Sequence, residues 1–301
     1  MARRNFIAGD QQKLVTAYFQ KQARFWEEIY YGTGIFEVIH QRRLRTILDF
    51  VDGFPRSACA RALDIGCGTG HATIALARRG YLVCAVDAVP EMVETTRRAV
   101  SAEGLQSAVW CVRGDINRLP FVDHCFRLVM AIGVLPWLSS TEAAMREMCR
   151  VLEPGGHIII TIDNRWGFRW FIDPLTNPVL QPAKQLLLRL LGQSHKEIPF
   201  GQKVSIGECR ATLRAHGLQI VEDATVGFGP FTLFRRAMLP SATGLALHRQ
   251  LQRMADRGYP LLRCAGAQYI VSAQKPGASR TALLGPKLAP ELSTQACEAA
   301  P

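Results

Sequence analysis

The chain has 301 residues, 48% hydrophobic and 20% charged, which excludes a disordered or fibrous protein and fits one well-filled domain or one large and one small one. No apolar run reaches the ~18–20 residues of a membrane-spanning helix, and MARRNFIAGDQQKLV has no apolar core behind its arginines, so neither a transmembrane nor an exported protein is expected. Thirty-six Lys and Arg against 25 Asp and Glu give +11, of which residues 164–275 carry +9 (15 basic, 6 acidic), so an anionic partner is expected to meet the protein there.

In chain order, residues 1–55 read as a helical cap rich in aromatics, among them Tyr18, Phe19, Phe25, Trp26, Tyr30, Tyr31 and Phe36. From Arg61 the pattern changes to short β-branched runs alternating with amphipathic ones. Ala62–Ile65, Leu82–Val86, Ala108–Val112, Leu128–Ile132 and His157–Ile162 are expected as buried strands. His71–Arg79, Glu91–Ala102 and Thr141–Leu152 are expected as helices, with Pro90 at a helix start and Gly80, Gly104 and Gly155 closing helices. Such alternation implies a parallel sheet covered on both faces. Ser205 and Glu208 have capping-box spacing ahead of a helix that Gly217 stops; Leu218–Thr225 and Ala267–Ala273 supply further strands. Residues 56–275 thus form the main domain, with insertions at 164–203 and 226–266, and the Pro/Gly/Ala/Ser tail 276–301 is expected to be disordered. Nine cysteines without a CxxC pair indicate a reducing, cytoplasmic setting and no metal site.

The most informative string is LDIGCGTGH, Leu63–His71, where a strand must turn into a helix. Gly66, Gly68 and Gly70 allow a tight turn and close approach of a ligand at the carboxyl edge of the sheet. No Gly-Lys-Ser/Thr follows, which excludes a Walker-type phosphate loop, and His71 takes the place of the third glycine of a dinucleotide fingerprint. Asp64 beside the loop suits an ammonium group better than a pyrophosphate. Asp87, 17 residues after Gly70, stands where a carboxylate accepts from both hydroxyls of a ribose, and Asp115 with the Ile116 amide follows the third strand, where an adenine edge is read. A ligand with an ammonium, a ribose and an adenine but no phosphates is S-adenosyl-L-methionine.

LDIGCGTG, VDAVPEM, GDINRLPF, FRLVMAIGVLPWL and VLEPGGHIIIT resemble, in order, the motifs of class I S-adenosylmethionine-dependent methyltransferases over about residues 60–163. The resemblance is nearest to the small-molecule group of the ubiquinone and menaquinone type, although other signatures of those quinone enzymes are missing. It implies an α/β fold, a Rossmann-like seven-stranded sheet with helices on both faces and an inserted lid. It further implies that Asp64, Gly66 and Gly68 hold the methionyl end, with Gly70 also among the cofactor-binding residues, and that Asp87 binds the ribose. Ala88 and Met92 would flank the adenine, Asp115 and Ile116 would meet its amino edge, and Ile132 would line the cofactor near the methyl group; Met92 is equally well placed for helix packing. GVLPWL stands in place of an Asn-Pro-Pro-Tyr motif, which disfavours amino-methylation of bases or glutamine.

The sequence presents no unambiguous base. His71, His157 and His216 read as structural, while His195 lies in an insertion expected to fold over the active site, and Asn164 and Arg165 follow the fifth strand, where Arg165 is a candidate to pair with an acidic substrate group. NRWGFRWFI (164–172) and GFGPFTLFRR (227–236) mix aromatics with arginines, which fits a small-molecule or lipid-like acceptor with an anionic end, methylated at oxygen or carbon. Residues 179–191 are expected as an amphipathic lid helix, with peripheral membrane contact as the alternative. An RNA methyltransferase and a non-catalytic S-adenosylmethionine-binding protein are the competing readings; with no appended RNA-binding motif, nucleic acid is disfavoured as a partner, and oligomeric state is not legible.

Overall fold

The computed structural model describes residues 8–55, 59–180, 182–183 and 201–277. The expected tail from residue 278 on and His195 therefore lie outside the described residues, as does most of the expected helix 179–191.

Two helices, α1 (Ala8–Glu28) and α2 (Ile35–Asp52), precede the sheet. The alternating region then runs β1 (Arg61–Ile65), α3 (His71–Ala77), β2 (Leu82–Asp87), α4 (Pro90–Ala102), β3 (Val109–Arg113), β4 (Phe126–Ala131), α5 (Thr141–Val151) and β5 (Leu152–Asn164). After these come α6 (Phe168–Ile172), β6 (Lys203–Val204), α7 (Ile206–Ala215), β7 (Gln219–Val226), β8 (Thr232–Leu233), β9 (Arg236–Ala237), α8 (Ser241–Asp256) and β10 (Gln268–Gln274). The capping box expected at the start of α7 is present: Ser205 Oγ accepts from the Glu208 amide, and the Glu208 carboxylate accepts from the Ser205 amide.

The seven main strands lie in the order β3-β2-β1-β4-β5-β10-β7, and β6 pairs with the end of β5. This is a Rossmann-like sheet, parallel from β3 to β5. The parallel sheet expected from the alternating region is present from β3 to β5; beyond it β10, reached from the second insertion, runs antiparallel to both β5 and β7. One expectation needs correction: Gly155 does not close a helix. α5 ends at Val151, and Gly155, at φ +79°, bends the first residues of β5 so that its amide donates to the Lys275 carbonyl.

Alternation along each strand divides the core into two layers. On one face, Leu63, Ile65, Val129, Ile158 and Ile160 pack against Met145 and Met148 of α5 and Leu213 of α7. On the other, Ala62, Val83, Leu128, Ile159 and Ile270 pack against Leu76 of α3 and Ile47, Phe50 and Val51 of α2. Since α2 covers the sheet directly, its amino-terminal half is held over the carboxyl ends of the strands. A third cluster, Phe228, Phe231 and Ala255, joins the second insertion to Ile35 and to Ile172 of α6. Fully buried Asp173 ties the two insertions together, accepting from the Thr232 hydroxyl and from the amides of Leu175, Phe234 and Arg235.

Candidate active site

Between β1 and β4 the strand order reverses, since the chain builds β2 and β3 on one side and then returns to the other. Crossovers diverge there and leave a crevice at the carboxyl ends of the strands. In this protein the crevice is a cavity of about 360 Å³.

One half of the cavity belongs to the β1, β2 and β3 loops. Gly66 has φ +66°, and a Cβ there would stand 2.3 Å from Val134 Cγ2, so only glycine lets the loop pass so close beneath the residues after β4. Asp87, at the end of β2, accepts from the Gly68 amide at 3.0 Å and from the Val89 amide at 2.9 Å, tying the glycine loop to the start of α4. Asp64 is 2% exposed and accepts from the Thr73 hydroxyl at 2.6 Å. Burial, aided by the nearby Asp87 carboxylate, pushes the Asp64 carboxyl up to about 7 despite that bond. Burial also raises Asp87 against the amides that it accepts from. Two buried carboxylates flanking one loop disfavour a polyphosphate and favour a ligand carrying a cation and hydroxyl donors. Asp115 and Ile116 line the far end, where Asp115 accepts from the Asn117 amide at 2.9 Å.

Of the residues expected at the cofactor, Asp64, Gly66, Gly68, Asp87, Ala88, Met92, Asp115, Ile116 and Ile132 all line this cavity. Gly70 does not. It caps α3 at φ +85°, and a Cβ there would come within 3.1 Å of Thr96, so its glycine serves the packing of α3 on α4.

The other half is built from parts distant in sequence. Tyr18 and Phe19 of α1 pack on Trp137, the former stacked at 5.4 Å between centroids and the latter edge-on at 5.0 Å. α1 is held over the opening where the Thr69 hydroxyl donates to the Trp26 carbonyl at 3.3 Å and Gln20 donates to Glu91. His40 and Arg43, one turn apart on α2, face the cavity together with Asp163, Arg169, Trp170 and Gln268. A carbonyl can only accept, so His40 Nδ1 carries the proton in its 2.8 Å bond to Phe36 O, which leaves Nε2 as the acceptor. Burial, together with the positive charges of Arg43 and Arg169, holds this imidazole neutral, with its pKa lowered to about 3. Burial raises the Asp163 carboxyl, opposed by Arg43, Arg169 and Lys203.

The three expected acceptor-side residues fare differently. Asn164 is fully buried and does not line the cavity: its amide donates to the Cys264 and Gly266 carbonyls at 2.9 Å each, fastening β5 to the start of β10. Arg165 points away, donating to the Lys203 carbonyl and pairing with Glu208 at 3.0 Å. Its expected contact with substrate is thereby used up in joining β5 to α7. His195 lies outside the described residues. Arg235, in the β8–β9 turn, and Arg236, at the start of β9, are exposed and do not line the cavity. His40, Arg43, Asp163 and Trp137 escape a motif-based reading, although His40 and Arg43 stand i, i+3 on one helix; Arg169 falls within the aromatic and arginine-bearing segment 164–172 without being singled out there.

Comparison with known proteins agrees with this geometry. Residues 63–160 match a family model described as a methyltransferase domain. The ajmaline N-methyltransferase of Rauvolfia serpentina is 27% identical over 62% of this chain and 68% of its own length. The malonyl-[acyl-carrier protein] O-methyltransferase of Halorhodospira halophila is 38% identical over 33% of this chain, and the match spans only 33% of that relative. Among solved structures, the magnesium protoporphyrin IX methyltransferase of Synechocystis with bound SAH shares the fold, with a TM-score of 0.59 at 16% identity, over 88% of this chain and 99% of that one.

Proposed function

The chain carries a class I S-adenosylmethionine-dependent methyltransferase domain, and from that premise we propose that it transfers a methyl group to a small or lipid-like acceptor at an oxygen or carbon atom. The observation that carries the reading is the division of one cavity into a carboxylate-flanked glycine-loop half and an aromatic, arginine-bearing half. S-adenosylmethionine supplies, when bound, an electrophilic methyl group on a sulfonium.

The first half suits that cofactor. Asp64, buried and without a cationic partner among the described residues, receives the ammonium together with the backbone at Gly66 and Gly68. Asp87 keeps a lone pair on each oxygen after accepting from Gly68 and Val89, and these take the two ribose hydroxyls. Ala88, Met92, Asp115 and Ile116 enclose the adenine, and Ile132 leads towards the acceptor.

In the second half, the α1 aromatics and Trp137 exclude water and hold an apolar acceptor body in line with the methyl, which is where most of the rate gain in such a displacement originates. Arg43 and Arg169 disfavour an ammonium-bearing acceptor, which supports oxygen or carbon over amine methylation. Neutral His40 keeps Nε2 available to accept a hydrogen bond from a hydroxyl acceptor. The acceptors named for the two relatives, ajmaline and malonyl-acyl carrier protein, differ in kind and do not define this one.

The test is acceptor-dependent release of S-adenosylhomocysteine from methyl-labelled cofactor, with the label followed into product by mass spectrometry across panels of phenols, enols and carboxylic acids. Tight cofactor binding with no labelled product from any of them would favour the non-catalytic reading instead.

A further inference from the structure

Arg43 is 7% exposed and lines the cavity, yet its Nε has no hydrogen-bond partner and no salt bridge involves it among the described residues. A guanidinium buried without a hydrogen-bonded counter-ion costs several kcal/mol in a folded protein, so a chain that keeps one at a cavity wall holds it for a ligand. The surroundings define what that ligand is. Arg169, the second cavity-lining arginine, donates to the Gly229 carbonyl at 3.3 Å and rests its guanidinium 4.2 Å from the centre of the Trp170 ring. Asp163 faces both arginines, and Gln268 holds it in place by a hydrogen bond. His40 is neutral. Lys203, with its ammonium 3.4 Å over the Trp170 ring, also acts on Asp163, so the positive charges around this carboxylate outnumber it.

The position of Arg43 is equally specific. Gly133 directly follows Ile132 at the end of β4, and a Cβ at Gly133 would stand 3.2 Å from Arg43 Nη1. The arginine head thus approaches the backbone beside the transfer region through a gap that a side chain would close.

We propose that Arg43, with Arg169, receives a carboxylate of the acceptor, so that the acceptor is a carboxylic acid with an apolar or aromatic body. An anion matches the net positive charge, and a planar carboxylate matches the fork of a guanidinium. A phosphate, tetrahedral and more highly charged, would fit the fork less well and bring more negative charge against Asp163. The proposal rests on the methyltransferase reading, which supplies the cofactor that fills the other half of the cavity.

The experiment is calorimetric titration of the full chain loaded with S-adenosylhomocysteine. The probes are 1-naphthoate, decanoate and indole-3-acetate, each against its primary amide, with 1-naphthyl phosphate as the rival anion. Loss of a charge-assisted pair corresponds to roughly tenfold or more in affinity. At least one acid is expected to bind wild type about tenfold or more tightly than its amide, and this preference is expected to fall below about twofold in Arg43→Met. In Arg169→Gln it is expected to weaken severalfold, while S-adenosylhomocysteine affinity stays unchanged in both variants. Equal binding of every acid and its amide in wild type, or a preference that survives Arg43→Met, overturns the proposal, as does tighter binding of the naphthyl phosphate than of naphthoate. The wild-type comparison needs no variant to fold. Failure to bind S-adenosylhomocysteine would count against the methyltransferase reading alone, since the acid and amide titrations then proceed on the unloaded chain.

Discussion

Asp87→Asn tests the ribose contact proposed for this carboxylate. The two Asp87 oxygens accept from the Gly68 amide at 3.0 Å and the Val89 amide at 2.9 Å. An asparagine keeps one acceptor oxygen and replaces the other with an NH2 group, so one of these amides faces a donor and one ribose hydroxyl loses its acceptor. The lost ribose hydrogen bond to a charged group is worth about 1.5–3 kcal/mol of binding, a roughly 10- to 150-fold rise in Kd. The fold should suffer far less, because burial already raises the Asp87 carboxyl and a neutral side chain relieves that cost. Calorimetric titration with S-adenosylhomocysteine, paired with thermal unfolding of the unliganded protein, measures both quantities. A Kd within about threefold of wild type, with the variant folded, would remove Asp87 from the cofactor site.

Three further outcomes follow from the same geometry. Gly66→Ala places a Cβ 2.3 Å from Val134 Cγ2 at φ +66°, so it should destabilise the fold by about 1–3 kcal/mol and weaken cofactor binding; adding Val134→Ala should restore part of the loss, and a double variant no better than Gly66→Ala alone would refute the steric account. Asp64 has a folded-state pKa of about 7 against an ordinary 3.8, so its contribution to stability is complete below pH 4 and is lost as pH rises through 7. Wild type should therefore lose up to about 4 kcal/mol relative to Asp64→Asn between about pH 4 and 7.5, at roughly 1.36 kcal/mol for each pH unit between the two values, and stabilities that run parallel over that range would refute this. Asp173→Ala removes the acceptor of four hydrogen bonds, three of which join the two insertions, and should cost about 2–4 kcal/mol; a change below about 0.5 kcal/mol in chemical denaturation would show that the insertions are held otherwise.

The cofactor half of the site is legible in the chain because each of its parts is local. A buried strand, a glycine turn and a helix start all fall between Leu63 and His71, and Asp87 and Asp115 each stand at or just after the end of a strand that periodicity alone delimits. Gly70 is misread for the same local reason: three glycines in one turn look alike until Thr96 is seen against one of them. Asn164 and Arg165 also suit an acceptor by their position at and after the end of β5, but their side chains are spent on Cys264, Gly266, Lys203 and Glu208, residues 38 to 102 positions away.

The strands of the core, the glycine loop and the nature of the cofactor are thus determined by the sequence itself, since strand patterning and turn chemistry act over neighbouring residues. Which side chains face the acceptor half of the cavity is decided only by the tertiary structure. α2 is pinned to the sheet by Ile47, Phe50 and Val51, and that packing carries His40 and Arg43, well upstream of the glycine loop in the chain, over the cavity. Arg169 and Asp163 arrive from the far side of the fold, at and after the end of β5. No spacing rule connects the pair on α2 with the pair at and after the end of β5, because what brings them together is the burial of apolar faces elsewhere on their helices and strands.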